Sequence, residues 1–157
     1  MIRIFNLTFL VFLFLITKAN SLIEIDITRG NLDPLPIAVS PLFQDDNSKK
    51  NSINELKLEN VGSEISSVVE NNLKTSGLFN PLSKEAFLQK PDIAHLKPRF
   101  EDWALIKAQA LITGKVTIEN KKLKVEFRLW DILAGREMMA LAFTTVPSNW
   151  RRVGHII

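Results

Sequence analysis

The chain begins with an apolar run, which extends from Ile4 to Ile16 between the cations Arg3 and Lys18. Its 13 residues are fewer than the roughly 20 that a helix needs to cross a bilayer. The small residues Ala19 and Ser21 follow at the spacing of a signal peptidase site. The pattern predicts a cleaved signal peptide over residues 1–21. An uncleaved membrane anchor is the alternative.

Hydrophobic and acidic residues alternate strictly from Ile23 to Ile27, directly after Leu22, so the isoleucines share one face of a predicted strand and the two acids the other. Residues 31–36 contain two prolines and read as an extended linker, so we expect residues 22–36 to form a strand and a linker ahead of the domain. A strand at a free chain end can pair with the sheet edge of another protein; the alternative is that it is the domain's own edge strand. The candidate partner-binding residues are Leu22, Ile23, Glu24, Ile25, Asp26 and Ile27.

Residues 37–157 have the patterns of one α/β domain. Residues 36–43 are a short apolar run framed by prolines, which predicts the first core strand. Residues 44–55 are mostly polar, and residues 44–52 are expected to be the least ordered part of the mature chain. Apolar residues then recur at spacings of three and four from Val61 to Leu73 and predict a helix, with Asn60 as its cap and Gly77 at its end.

Two further helices are predicted before Ala110, where the spacing of apolar residues changes. Residues 83–89 favour one or two helical turns that stop before Pro91. Pro98 is typical of a helix start, so a longer helix is expected over residues 99–109, with Trp103 and Phe100 facing the core.

From Ala110 the pattern has a period of two, which indicates strands over residues 110–118, 123–129 and 137–146. The fold class that follows is α/β: a mixed sheet with helices packed mainly on one face and a C-terminal antiparallel meander. A last helix begins at Trp150, with Ser148 as its expected cap, and we expect it to be truncated at Ile157 and therefore to fray.

Composition excludes several function classes. Without Arg3 and Lys18 the mature chain has 18 basic and 17 acidic residues, a formal charge of +1, which argues against nucleic-acid binding. Cysteine is absent, and the two histidines, His95 and His155, do not form a metal-ligand motif. Neither Ser76 nor Ser148 belongs to a recognisable nucleophile pattern. We therefore expect no enzyme activity, no cofactor and no metal, and leave the oligomeric state open.

Four segments together resemble the amino-terminal domain of the TolB family. They are the acidic strand from Leu22 to Gly30, the helix end and turn over residues 72–82, the stretch from Trp103 through Ala110 to Val116, and the closing segment over residues 150–155. In that last segment Gly154 stands where the family usually has alanine.

The resemblance implies a periplasmic protein-interaction module of the Tol–Pal envelope system, which acts in outer-membrane integrity and cell division. It implies that residues 22–27 bind the periplasmic domain of TolA by strand addition, with no membrane span left after cleavage. In the family a β-propeller that binds Pal follows this domain. Because no propeller follows here, Pal is not an expected partner. The alternatives are a non-functional truncated remnant and a free-standing periplasmic ligand-binding domain.

Overall fold

The computed structural model describes residues 33–157. In this part of the chain six strands and five α-helices follow one another. The strands are β1 (Leu35–Val39), β2 (Phe43–Gln44), β3 (Phe79–Pro81), β4 (Ala110–Glu119), β5 (Lys122–Asp131) and β6 (Arg136–Thr145). The helices are α1 (Asp46–Leu56), α2 (Val61–Thr75), α3 (Pro91–Ala94), α4 (Phe100–Leu105) and α5 (Trp150–Ile156).

The strands form one mixed sheet in the order β3-β1-β4-β5-β6, and β2 pairs with a separate stretch of β4. Strand β1 is parallel to both β3 and β4, with Ile37 opposite Ala110. Strands β4, β5 and β6 are antiparallel, and Val116, Val125 and Phe143 lie side by side across them. The predicted mixed sheet with a C-terminal meander is therefore confirmed.

Each face of the sheet carries a hydrophobic core, because successive side chains of a strand point to opposite faces. On one face, apolar residues of β4 and β5 pack with Ile65 and Val69 of α2 and Val153 of α5. On the other face, Leu111 and Trp130 pack with Ala94 of α3 and Trp103 of α4. The longer helices lie on the first face and two short helices on the second, so the helices are mainly on one face, as predicted.

Helix α2 has the ends that its sequence predicts. The Asn60 side chain accepts a hydrogen bond from the Ser63 amide at its start, and Gly77 follows its end with a φ of +73°. Helix α5 packs against α2 through Gly154, where an added Cβ would lie 2.9 Å from the Cβ of Val68. Close helix packing therefore favours glycine at this position.

Several elements differ from the prediction. Leu35 and Pro36 belong to β1, so the expected linker over residues 31–36 ends at Pro34. Pro91 is the first residue of α3, a helix that the sequence pattern did not predict. Ser148 lies in a 3-10 turn (Pro147–Asn149), and no side chain caps α5.

The helix expected over residues 99–109 is shorter and ends as α4 at Leu105. Lys107 has a φ of 63°, which ends the helix and turns the chain toward the sheet. There the Gln109 amide donates a hydrogen bond to Pro36 O of β1, immediately before β4 begins at Ala110. Trp103 is only 1% exposed, which confirms its predicted core position.

The expectation that residues 44–52 lack regular structure is wrong, because α1 begins at Asp46 and includes the rest of this stretch. The Asp45 side chain accepts a hydrogen bond from the Ser48 amide and caps the helix start. Ser48 and Ser52 are buried, and each hydroxyl takes part in a hydrogen bond with a backbone group. Hydrogen bonds to buried serines therefore hold a helix that has few apolar residues.

Candidate functional site

The predicted partner-binding residues, Leu22 to Ile27, lie outside the residues that the structure describes. Their assignment remains a prediction from the sequence. The described domain contributes the surfaces on which a second molecule could dock, and the sheet edges are the first of these. An edge strand presents unpaired backbone N–H and C=O groups, which are a template for pairing with another chain.

The two edges of the sheet differ in length and chemistry. Strand β3 has three residues, one of them Pro81, and both features discourage pairing with another strand. Strand β6 has ten residues and pairs with β5 along one side. Among the described residues no strand lies along its other side.

Strand β6 is exposed over most of its length. Met138, Met139 and Leu141 are 60%, 46% and 48% exposed. Its two charged residues, Arg136 and Glu137, stand together at its start, and Glu137 pairs with Arg128 of β5 at 3.1 Å. From Met138 to Thr145 the strand contains no charge and no proline, so it lacks the residues that commonly protect an edge from association.

A helix covers the far end of β4, beyond its short pairings with β1 and β2. The Ile118 amide donates to Ser48 Oγ at 3.1 Å, and the Asn51 amide group donates to Ile118 O at 2.8 Å. Two side chains of α1 thus replace the hydrogen bonds that another strand would make to Ile118. This stretch of β4 is closed to strand addition as long as α1 stays in place.

A polar surface cavity of about 460 Å³ lies between α1 and the end of β4, with Asp45, Asn51 and Glu119 in its lining. The hydrogen bond from the Ser48 amide, the largest influence, and the charge of Lys115 lower the pKa of Asp45. Lys115 Nζ lies 3.6 Å from the Asp45 carboxylate. A carboxylate that caps a helix and pairs with a lysine has a structural role.

Both histidines have local partners. The ring of His95 stacks on Phe43 with centroids 4.4 Å apart, and its Nδ1 lies 3.0 Å from Pro91 O. His155 is exposed on α5 beside Asn72.

Within residues 33–157 no three His, Cys, Asp or Glu residues are grouped as a metal site would require. None of the described helices is both long and apolar enough to span a bilayer.

Sequence reasoning missed two features that matter for binding. It predicted strand β6 but not its position at an exposed edge, because sheet order depends on contacts between distant segments. A continuous apolar run such as that from Met138 to Phe143 is typical of a buried strand, so the local pattern contains no signal for an exposed edge. Sequence reasoning also missed the docking of α1 on β4. The spacing of Ser48 and Ser52 places both hydroxyls on one helix face, but it does not identify β4 as the element that they contact.

Comparison with known proteins identifies relatives over most of the chain. The family model described as the TolB amino-terminal domain matches residues 23–138. The Tol-Pal system protein TolB of Pelagibacter ubique (strain HTCC1062) is 72% identical over 149 residues, which are 95% of this chain and 33% of that protein. The chain therefore spans about a third of the length of this curated relative.

Two solved structures share the fold at lower identity. TolB from Acinetobacter baumannii is similar with a TM-score of 0.60 and 18% identity, over 80% of this chain and 26% of that one. The lipoprotein GNA1162 from Neisseria meningitidis has a TM-score of 0.51 and 16% identity, over 72% of this chain and 81% of that one. At these identities the two structures support the sheet and helix arrangement alone.

Proposed function

Because the chain belongs to the TolB amino-terminal domain family, we propose that it is a periplasmic protein-interaction module of the Tol–Pal system that binds TolA. Residues 22–27 would bind by adding a strand to an open sheet edge of the periplasmic domain of TolA. Through this contact the protein would act in outer-membrane integrity and cell division. The observation that carries the proposal is the family match, which begins at residue 23 and so includes the alternating strand.

The sequence of the strand supports this mode of binding. Backbone hydrogen bonds supply the affinity in strand addition, and alternate side chains supply the specificity. Ile23, Ile25 and Ile27 would contact one face of the partner's sheet, while Glu24 and Asp26 would lie on the other. The apolar run and small residues before Leu22 support export and cleavage, which would leave this strand near the mature terminus.

The described domain supports the proposal through its own strand pairings, which involve residues from Leu35 onward. The first described strand, β1, begins at Leu35 and pairs with both β3 and β4. Deletion of a segment that ends at Asp26 therefore leaves every backbone pairing described for the sheet in place.

The test is calorimetric titration of the purified chain against the periplasmic domain of TolA. Deletion of Leu22–Asp26 is expected to abolish binding and to leave the thermal midpoint almost unchanged. Ile25→Pro is expected to weaken binding strongly, because proline cannot donate a hydrogen bond to the partner strand. Ile25→Val is the matched control and should retain binding, since valine keeps the amide and a β-branched side chain.

Charge makes a smaller contribution to the expected affinity. Glu24→Gln together with Asp26→Asn should weaken binding mainly at low salt, where exposed charges are least screened. If the deletion leaves binding intact and lowers the thermal midpoint by several degrees, residues 22–27 are an edge strand of the domain itself. The proposal would then be wrong.

A further inference from the structure

We draw no further inference here: the strongest candidate, the surface cavity lined by Gln44, Lys49 and Lys90 at the start of α2, rests on a helix N-terminus, and Nε2 of Gln44, which has no hydrogen-bond partner among the described residues, is buried and is not exposed to a ligand in the cavity.

Discussion

The negative charge of Asp45 stabilises the start of helix α1. Its carboxylate accepts the Ser48 amide at 2.8 Å, and its backbone carbonyl accepts the Lys49 amide. The hydrogen bond from Ser48 is the main reason that the pKa of Asp45 lies below its ordinary value. A lowered pKa means that folding favours the charged carboxylate, so this residue stabilises α1 only while it is ionised.

The sign of the pH dependence follows from the lowered pKa. The stabilisation of α1 by Asp45 is complete above the pKa that an aspartate has in the unfolded chain, about 3.9. It is lost as the pH falls through the lower pKa of Asp45 in the folded protein. We therefore expect hydrogen exchange of α1 amides, such as that of Ser52, to accelerate below about pH 4 relative to the amides of β5. Asp45→Ala should weaken the helix by about 1 kcal/mol at neutral pH.

Asp45→Asn is the matched control for this prediction. Asparagine caps a helix about as well as aspartate but does not titrate. The variant should keep α1 protected at neutral pH and should lose the acid-dependent part of the exchange. Equal acid sensitivity in the Asp45→Asn variant would show that another group controls α1.

At the scale of elements, the sequence predicted the helices and strands whose apolar residues recur at regular spacing and pack into the core. Helix α2 and strands β4 and β5 were recognised because their apolar residues repeat at the period of the structure and face one core. Helix α1 was missed because it is held by side-chain bonds to Ile118, a residue 67 to 70 positions away in the chain. A pattern within one segment does not contain that information.

The docking of α1 predicts the consequence of a single substitution. Ser48→Ala removes the acceptor for the buried Ile118 amide, and an unsatisfied buried donor typically costs about 1 to 3 kcal/mol. We expect the free energy of unfolding to fall by that amount in chemical denaturation, with faster hydrogen exchange in α1. Ser67→Ala is the control, because the exposed Ser67 hydroxyl bonds only to Ser63 O within its own helix. If both variants are equally stable, the Ser48 bond does not hold α1.

At the scale of the whole molecule, the antiparallel meander is the most extensively paired unit, and the remaining elements are attached to it. Ten residues of β4 pair with β5, and nine of β5 pair with β6. The mixed sheet with helices mainly on one face could be predicted from the spacing of apolar residues, whereas the second core, around Trp103 and Trp130, was not predicted as a core on the opposite face. The exposed edge of β6 could not be predicted, since which strand ends a sheet depends on topology. Residues 22–27 are still known from their sequence pattern and the family match alone.

Helix α5 would be unstable on its own but is held in place by its packing on the rest of the fold. Its seven residues are too few for an isolated helix to be stable in water. Val153 and Gly154 are nevertheless buried against α2, and the Asn72 side chain donates to Gly154 O at 3.2 Å. Local packing therefore retains the helix, although His155 and Ile156 are exposed and Ile157 is only partly buried against the core.

We expect α5 to open locally while the meander stays closed. Native-state hydrogen exchange should show faster exchange for the amides of residues 153–157 than for those of residues 125–129, by at least about tenfold. Asn72→Ala removes the bond to Gly154 O and should accelerate exchange in α5 without changing the rates in β5. Equal protection of the two segments would mean that packing of Val153 and Gly154 couples α5 to global unfolding, and the expectation of local fraying would be wrong.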